Sequence, residues 1–155
     1  MGAEREHLLE YNGLYKENDE LYRNVAKGVG LSDCAFWILY FLRERGEGLG
    51  CGLTQSGICS AIYAPKQTVN SSLKKLEEDG AIELAEGADR RSKLVRLTQK
   101  GTILAGRTVD RVLAAEQRAM GGMTAEEQTA FLGLFRRYTD LLKKEIEGLL
   151  NEESE

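Results

Sequence analysis

The chain has 155 residues, enough for one domain or for two small lobes that share a core. Hydrophobic residues make up 42% and charged residues 30%, an ordinary balance for a globular protein, and the net charge of −4 does not itself indicate a nucleic-acid partner. The longest apolar run, CAFWILYFL, is too short for a membrane span, and the first residues lack the basic-then-apolar layout of a signal peptide. We therefore expect a cytoplasmic protein.

Two helices are predicted first. Residues 4–27 carry apolar side chains at nearly helical spacing, over a stripe wide enough to be covered on more than one side, and Gly28 ends them. Ser32 is the predicted N-cap of a second helix over residues 33–45, which is apolar nearly all round and should therefore be central. The glycine-rich segment 46–54 matches no phosphate-binding motif and is predicted to be a connecting loop.

A short helix, a turn and a longer helix follow. Thr54 is the predicted N-cap of the short helix over residues 55–62. Pro65 takes the predicted first position of the longer helix, since proline is favoured there. That helix runs to about Asp79 and is followed by Gly80, a residue suited to the position after a helix end.

The remainder contains a hairpin and two more helices. Residues 81–85 and 93–98 are predicted strands, joined as a β-hairpin by the long loop EGADRRS. One helix is predicted from about 99 to 120. A last helix begins at a capping box formed by Thr124 and Glu127 and runs to about residue 150. Its apolar stripe needs a partner surface.

The order helix, short helix, turn, helix and hairpin is typical of a winged helix-turn-helix. We therefore predict a mainly α fold with a small β-hairpin wing. Residues 31–101 form the predicted winged helix-turn-helix lobe and residues 1–30 with 102–150 a helical dimerisation region. Residues 151–155 are a solvated acidic tail.

Charge is unevenly distributed along the chain. Residues 61–101 contain eight Lys and Arg against six Asp and Glu, a net charge of +2, whereas the segments before residue 31 and after residue 101 are net negative. Arg90, Arg91 and Lys93 cluster at the predicted tip of the hairpin. Phosphates or a narrow minor groove attract such a cluster, so this segment is the predicted electrostatic footprint for nucleic acid.

The helix over residues 65–79 has two contrasting faces. One narrow face carries Val69, Leu73 and Leu76, with Pro65 at its edge. The opposite face is polar, and its members, flanked by Lys66 and Lys75, are Gln67, Asn70, Ser71 and Lys74. Such side chains reach base edges or phosphates when a helix enters the major groove. A winged helix that binds only proteins is the alternative, and it should carry apolar residues at these places.

Two stretches of this lobe resemble a known family. PKQTVNSSLKKLEEDGAIEL (65–84), followed by DRRSKLVRLTQKG (89–101), is similar to the MarR family of bacterial transcriptional regulators. The most diagnostic part is Asp89-x-Arg91 leading into a strand and then LT-x-KG. The resemblance implies a homodimer in which each winged helix binds one half of a pseudo-palindromic operator, and repression is the family's usual mode of action.

The resemblance also implies a set of DNA contacts. The start of the short helix would bind a phosphate, the longer helix would contact the groove and its phosphates, and Arg91, oriented by Asp89, would enter the minor groove. In chain order, the predicted DNA-binding residues are Thr54, Gln55, Ser56, Lys66, Gln67, Thr68, Asn70, Ser71, Lys74, Lys75, Asp89, Arg90, Arg91 and Lys93.

Many members of the family bind a small aromatic or anionic ligand between the dimer helices and the winged lobe. By this resemblance, the candidate ligand-binding residues are Tyr11, Tyr15, Trp37 and Tyr40. Core and dimer packing is the alternative for all four, since aromatic residues at helical spacing usually lie in a core.

No pattern in the sequence predicts catalytic residues, a metal site or a cofactor, so we expect no enzyme. The single histidine, His7, has no partner that the sequence assigns. Cys34, Cys51 and Cys59 match no metal-binding spacing and are interpreted as small apolar residues in a reducing compartment. A redox-responsive regulator that uses one of them is the alternative.

Overall fold

The computed structural model describes residues 2–45, 52–87 and 92–152. Its elements in chain order are α1 (Ala3–Gly28), α2 (Asp33–Arg45), β1 (Leu53–Thr54), α3 (Gln55–Ile62), α4 (Lys66–Glu78), β2 (Ile82–Glu86), β3 (Lys93–Leu97), α5 (Gln99–Arg107), α6 (Val109–Gly121) and α7 (Ala125–Glu152). The fold is mainly helical with a small antiparallel sheet, as predicted. The chain divides into two compact units, Met1–Leu113 and Ala114–Glu155.

Helix α2 is at the centre of the first unit. Its buried residues are Ala35, Phe36, Ile38, Leu39 and Leu42. They share a core with Ile58 of α3, Val69 of α4 and Val95 of β3, all fully buried. Ser32 Oγ accepts a hydrogen bond from the backbone N–H of Ala35 at 3.1 Å, which confirms the predicted N-cap. The predicted central place of this helix is likewise confirmed.

The sheet has three antiparallel strands in the order β1-β3-β2. β2 and β3 form the predicted hairpin, with bounds within one residue of those expected. The prediction of a loop throughout residues 46–54 was wrong at its end, because Leu53 and Thr54 form β1 and Leu53 lies opposite Val95. A strand of two residues is too short to show an alternating pattern in the sequence. Its hydrogen-bond partners lie in β3, far along the chain. Residues 46–51 of this segment lie outside the described residues.

The prediction of one helix over residues 99–120 was also wrong, because α5 and α6 are separate helices. Thr108 lies between them with φ −123° and ψ −87°. It is buried, and its Oγ1 donates a hydrogen bond to the carbonyl of Leu104 at 2.7 Å. A hydroxyl side chain that bonds the preceding helical turn competes with regular helix geometry, and it leaves the apolar periodicity unchanged.

The start of α6 is tied to α2 by an ion pair within the first unit. Arg43 of α2 donates from Nε to Asp110 Oδ1 at 2.8 Å and from Nη2 to Asp110 Oδ2 at 2.9 Å. The two side chains are 27% and 30% exposed, so water screens the pair only partly. This bidentate contact holds the first turn of α6 against the central helix.

The second unit is built on α7. The capping box is confirmed, because the backbone N–H of Thr124 donates to Glu127 Oε2 at 2.8 Å and that of Glu127 donates to Thr124 Oγ1 at 3.2 Å. Among the residues of α7 whose exposure the structure describes, none is buried. Its exposed large apolar residues are Phe131, Leu132, Leu134, Phe135, Leu141, Leu142, Ile146, Leu149 and Leu150.

Helix α1 of the first unit is similarly open. Its only buried residue is Ala26, while Leu8, Leu9, Leu14 and Leu21 are exposed. In the described part of the chain, no helix alone has the length and apolar character to cross a membrane. The bent pair of α1 and α2 passes that test by length and composition only.

Candidate nucleic-acid interface

The first part of the candidate site is the start of α3. Thr54 Oγ1 accepts a hydrogen bond from the backbone N–H of Gly57 at 3.1 Å, which confirms the predicted N-cap, and lies 3.1 Å from Ser56 Oγ. The first N–H groups of a helix have no acceptor within it, so they can bind an anion. Gln55 and Thr54 are half-buried and Ser56 is exposed, so this helix start is open to a phosphate.

The second part is α4, the predicted recognition helix. Val69, Leu73 and Leu76 are buried, so the predicted apolar face is confirmed. The predicted DNA-binding residues of this helix are all exposed, and they are Lys66, Gln67, Thr68, Asn70, Ser71, Lys74 and Lys75. Ser71 Oγ donates to the carbonyl of Gln67 at 3.1 Å, so its proton is already engaged within the helix. That these residues contact DNA stays a prediction.

Pro65 differs from its prediction in two respects. It is the N-cap of α4 and not its first helical residue, with φ −57° and ψ 140°. Its carbonyl accepts the first hydrogen bond of the helix, from Val69 N–H at 3.1 Å. It is also exposed and therefore not part of the apolar face, because an N-cap lies outside the helical spiral on which that face was drawn.

The segment LT-x-KG, Leu97–Gly101, fixes the other end of α4. Thr98 Oγ1 donates to the carbonyl of Gly80 at 2.6 Å and accepts from Gly101 N–H at 3.0 Å. Lys100 Nζ donates to the carbonyl of Asp79, the C-cap of α4, at 2.5 Å. This ammonium supplies positive charge where Asp79 and its preceding acids oppose the helix dipole. The segment therefore holds α4, β3 and α5 in a fixed relation.

The third part is the wing formed by β2 and β3. Lys93 is exposed at the start of β3, opposite Glu86 of β2. The other predicted wing residues, Asp89, Arg90 and Arg91, lie outside the described residues. The predicted pairing of Asp89 with Arg91 is accordingly untested.

A cleft of about 790 Å³ joins these three parts within the first unit. Seven predicted DNA-binding residues line it, and they are Thr54, Gln55, Ser56, Lys66, Asn70, Lys74 and Lys93. Glu77 is the only acidic residue among its described lining, and the large apolar residues of that lining are Leu73, Ile82, Leu84 and Val95. Three lysines against one acid give the cleft a positive charge that the chain as a whole lacks.

The four candidate ligand-binding aromatics lie in two pairs, one on α1 and one on α2. The ring centroids of Tyr11 and Tyr15 are 6.2 Å apart, and those of Trp37 and Tyr40 are 5.1 Å apart. Trp37 also packs against Tyr22 at 4.9 Å. Half-buried Trp37 and Tyr40 flank the core, so core packing accounts for at least this pair. Binding of a ligand by these residues stays a prediction.

Two of the three cysteines can be placed. Cys34 and Cys59 are half-buried free thiols, and Cys51 lies outside the described residues. Cys59 lines the cleft, while Cys34 Sγ lies 3.9 Å from the carbonyl oxygen of Thr68. Within the described ranges, no three or more His, Cys, Asp or Glu side chains are arranged to hold a metal ion.

Sequence reasoning missed two residues of this region. Tyr63, in the turn between α3 and α4, is 94% exposed and has φ 56°. Lys100 holds the end of α4, although the sequence shows it only as part of a diagnostic motif. For Tyr63, the one signal in the sequence was a bulky residue in the turn of the helix-turn-helix, two positions before Pro65. Its left-handed backbone is not visible in the sequence.

Similarity to known proteins agrees with this arrangement. A family model described as MarR family matches residues 29–92. The HTH-type transcriptional regulator YwoH of Bacillus subtilis is 31% identical over 123 residues, 79% of this chain and 82% of YwoH. The HTH-type transcriptional repressor NicR of Pseudomonas putida is 24% identical over 127 residues, 81% of this chain and 77% of NicR.

Solved structures share the fold at 20 to 24% identity. NMB1585, a MarR family regulator from Neisseria meningitidis, superposes with a TM-score of 0.76 and 23% identity, over 92% of this chain and 97% of that one. MepR of S. aureus, solved as a DNA complex, gives 0.69 and 20%, over 85% and 96%. BpsR of Bordetella bronchiseptica, whose DNA binding is regulated by 6-hydroxynicotinic acid, gives 0.61 and 24%, over 86% and 91%. From the winged helix-turn-helix, the family-model match and the extended identity to YwoH, we conclude that the chain belongs to the MarR family of transcriptional regulators.

Proposed function

We propose that two copies of this chain form a cytoplasmic regulator that binds a pseudo-palindromic operator in double-stranded DNA and represses transcription. The observation that carries the proposal is the cleft in which the α3 start, the polar face of α4 and Lys93 converge. A polyanion suits this surface, because phosphates can meet hydroxyl, N–H and ammonium donors along one continuous path. Repression is supported by the similarity to NicR, a transcriptional repressor.

Helix α4 acts as the recognition helix and enters the major groove with its N-terminal end first. Gln67 and Asn70 carry the amides that form paired hydrogen bonds with adenine, and both are exposed. Lys74 Nζ forms an ion pair with Glu78 Oε1 at 3.9 Å, and the two side chains are 77% and 65% exposed. Such a pair contributes little to stability, so a DNA phosphate can replace the glutamate.

The wing makes the second set of contacts. Arg91 enters the minor groove with Asp89 orienting it, as the family resemblance implies, and Arg90 with Lys93 binds flanking phosphates. The exposed position of Lys93 at the loop end of β3 supports this part of the proposal. Basic residues at both helix and wing favour a DNA-binding role over a purely protein-binding one, which should carry apolar residues at these places.

Dimer formation is supported by the open apolar faces of the terminal helices. Leu134 of α7 is 66% exposed and Leu21 of α1 is 61% exposed, and many apolar neighbours on both helices are also exposed. Many exposed large apolar residues on one helix, as on each of these two taken by itself, are unusual on a monomer and typical of an interface. A two-fold dimer would set its recognition helices about one DNA turn, roughly 34 Å, apart.

A small aromatic or anionic ligand is the proposed modulator, with Tyr11, Tyr15, Trp37 and Tyr40 as its candidate contacts. The family resemblance and the regulation of BpsR by 6-hydroxynicotinic acid support this proposal. Packing remains the alternative, and it is favoured for Trp37 and Tyr40 by their place beside the core. Added 6-hydroxynicotinic acid should change the DNA affinity of the wild-type chain but not that of Trp37→Phe if the ring contacts the ligand.

Sequencing of genomic fragments captured by the purified chain tests DNA binding and identifies the operator together. Affinity for the recovered fragment should fall steeply with salt, by a factor set by the number of phosphates bound. Arg91→Ala should weaken binding about tenfold or more and leave the dimer intact. Arg5→Ala, which removes an exposed arginine from α1, is the matched control and should bind normally.

Each unfavourable result has its own meaning. If the wild-type chain captures no DNA, or binds without salt dependence, the protein-interaction alternative gains and DNA recognition is refuted. Normal binding by Arg91→Ala would refute only the assignment of the wing. A sedimentation measurement that finds a monomer under binding conditions would refute the dimer.

A further inference from the structure

Tyr63 has a backbone and an exposure that its residue type does not favour. It is the C-cap of α3, with φ 56° and ψ 33°, in the left-handed region. Among the non-glycine residues that the structure describes, it alone has a positive φ. The residue is 94% exposed, so its ring lies almost wholly in solvent.

Neither backbone geometry nor packing accounts for a tyrosine at this position. Glycine or asparagine adopts the left-handed region with less strain, and a bulky side chain there is an outlier. An exposed ring gains no stability from burial in the chain. The backbone N–H of Tyr63 donates to the carbonyl of Cys59 at 2.9 Å, a bond that any residue except proline would form. Strained residues tend to cluster at functional sites.

The turn holds Tyr63 beside the start of the proposed recognition helix. Lys66, the first residue of α4, is three positions further along, and Pro65 between them has φ −57°. A residue that precedes proline is restricted to extended backbone, so Ala64 is also confined. The Cα of Tyr63 is therefore fixed relative to the end of α4 that enters the groove.

We propose that Tyr63 contacts the DNA backbone beside the groove that α4 enters. Its hydroxyl donates a hydrogen bond to a phosphate oxygen, and its ring lies against the adjacent sugar. The inference rests on the proposed function, because it needs α4 in the major groove. A phosphate contact is independent of sequence, so it should contribute to binding of any duplex. Lys66 would bind the same strand by charge, whereas Tyr63 would add a directional neutral donor.

The test compares Tyr63→Gly and Tyr63→Phe with the wild-type chain. The probe is a mixed-sequence duplex of about 30 base pairs at low salt, where binding to backbone phosphates dominates. We expect Tyr63→Gly to raise Kd about 3- to 10-fold, the range that the net contribution of one typical hydrogen bond predicts. Its Tm should stay equal or rise by about 2–4 °C, because glycine relieves the left-handed strain. Loss of affinity with gain of stability is not expected from a purely structural residue.

Tyr63→Phe separates the hydroxyl from the ring. It keeps the backbone strain, so its Tm should match the wild type, while its Kd should rise by part of the effect of glycine. Wild-type affinity in both variants would overturn the inference. If Tyr63→Gly lowers Tm, its loss of affinity cannot be assigned to the contact, and the affinity of Tyr63→Phe decides instead. Unchanged affinity of Tyr63→Phe then overturns the hydroxyl contact.

Lys66→Ala is the positive control. Failure of the wild-type chain to bind the duplex overturns the proposed function and the inference together, whereas unchanged Tyr63 variants with a binding wild type overturn the inference alone.

Discussion

Gly101 offers a sharp test of how the recognition helix is held. The residue is buried in the first turn of α5, and a Cβ there would lie 1.8 Å from the carbonyl oxygen of Ala81 and 2.8 Å from its carbonyl carbon. Real Cβ atoms essentially never come closer than 3.0 Å. In Gly101→Ala the two backbones must therefore separate by at least the difference between 3.0 and 1.8 Å, which is 1.2 Å.

That separation breaks hydrogen bonds between α5 and the end of α4. The bonds at risk run from Thr98 N–H to the carbonyl of Ala81 at 3.1 Å and from Thr98 Oγ1 to the carbonyl of Gly80 at 2.6 Å. The cap bond from Gly101 N–H to Thr98 Oγ1, at 3.0 Å, is strained with them. Three bonds at about 1 kcal/mol each predict a loss of about 2–4 kcal/mol in the free energy of unfolding.

Urea denaturation followed by circular dichroism measures this loss at fixed protein concentration. Gly106→Ala in the same helix is the matched control, since its Cβ would meet only Asp110 Oδ2 at 3.8 Å. Removing a glycine from an open helical position should stabilise the chain by about 0.5–1 kcal/mol. The two substitutions therefore have opposite expected signs. A loss below about 0.5 kcal/mol for Gly101→Ala, or a change equal to that of the control, would refute the reasoning.

Two further predictions concern α6 and α7. A double-mutant cycle with Arg43→Met and Asp110→Asn should give a coupling of about 1–2 kcal/mol in urea denaturation, because both hydrogen bonds are charged and partly buried. Coupling near zero would contradict the role of this pair. Leu134→Lys should shift the dimer toward monomer by about tenfold or more in sedimentation equilibrium, since Leu134 is 66% exposed in the single chain. Glu145→Lys, on an exposed position of the same helix, is its control, and equal dimer constants would exclude Leu134 from the interface.

Local interactions were the most predictable from the sequence. The Thr124–Glu127 box and the Thr54 cap involve partners three residues apart, so the residue types and their spacing already specify both bonds. The same holds for the faces of α4, where Val69 and Leu73 are buried as the helical period requires. For the candidate site, the exposed polar residues of α4 could thus be predicted, while their contact with DNA awaits experiment.

Features that depend on distant partners were not predicted. Strand β1 exists because Leu53 meets Val95, and two residues alone carry no pattern. The break at Thr108 arises where its side chain bonds Leu104 and becomes buried, which the apolar period of residues 99–120 does not reveal. Tyr63 was missed for a related reason, since the sign of φ at a turn depends on how two helices are joined.

The sequence by itself determined the order of the main elements, the N-caps Ser32, Thr54 and Thr124, and the polar face of α4. The caps and the face depend on neighbours within about one helical turn. Only the tertiary structure decided which of those residues share a surface. It joined Lys66 and Lys93 in one cleft and tied Lys100 to the end of α4 at Asp79. Such contacts form between residues that are far apart in the sequence. Packing against the core around α2 selects among the backbone geometries that the local sequence pattern allows.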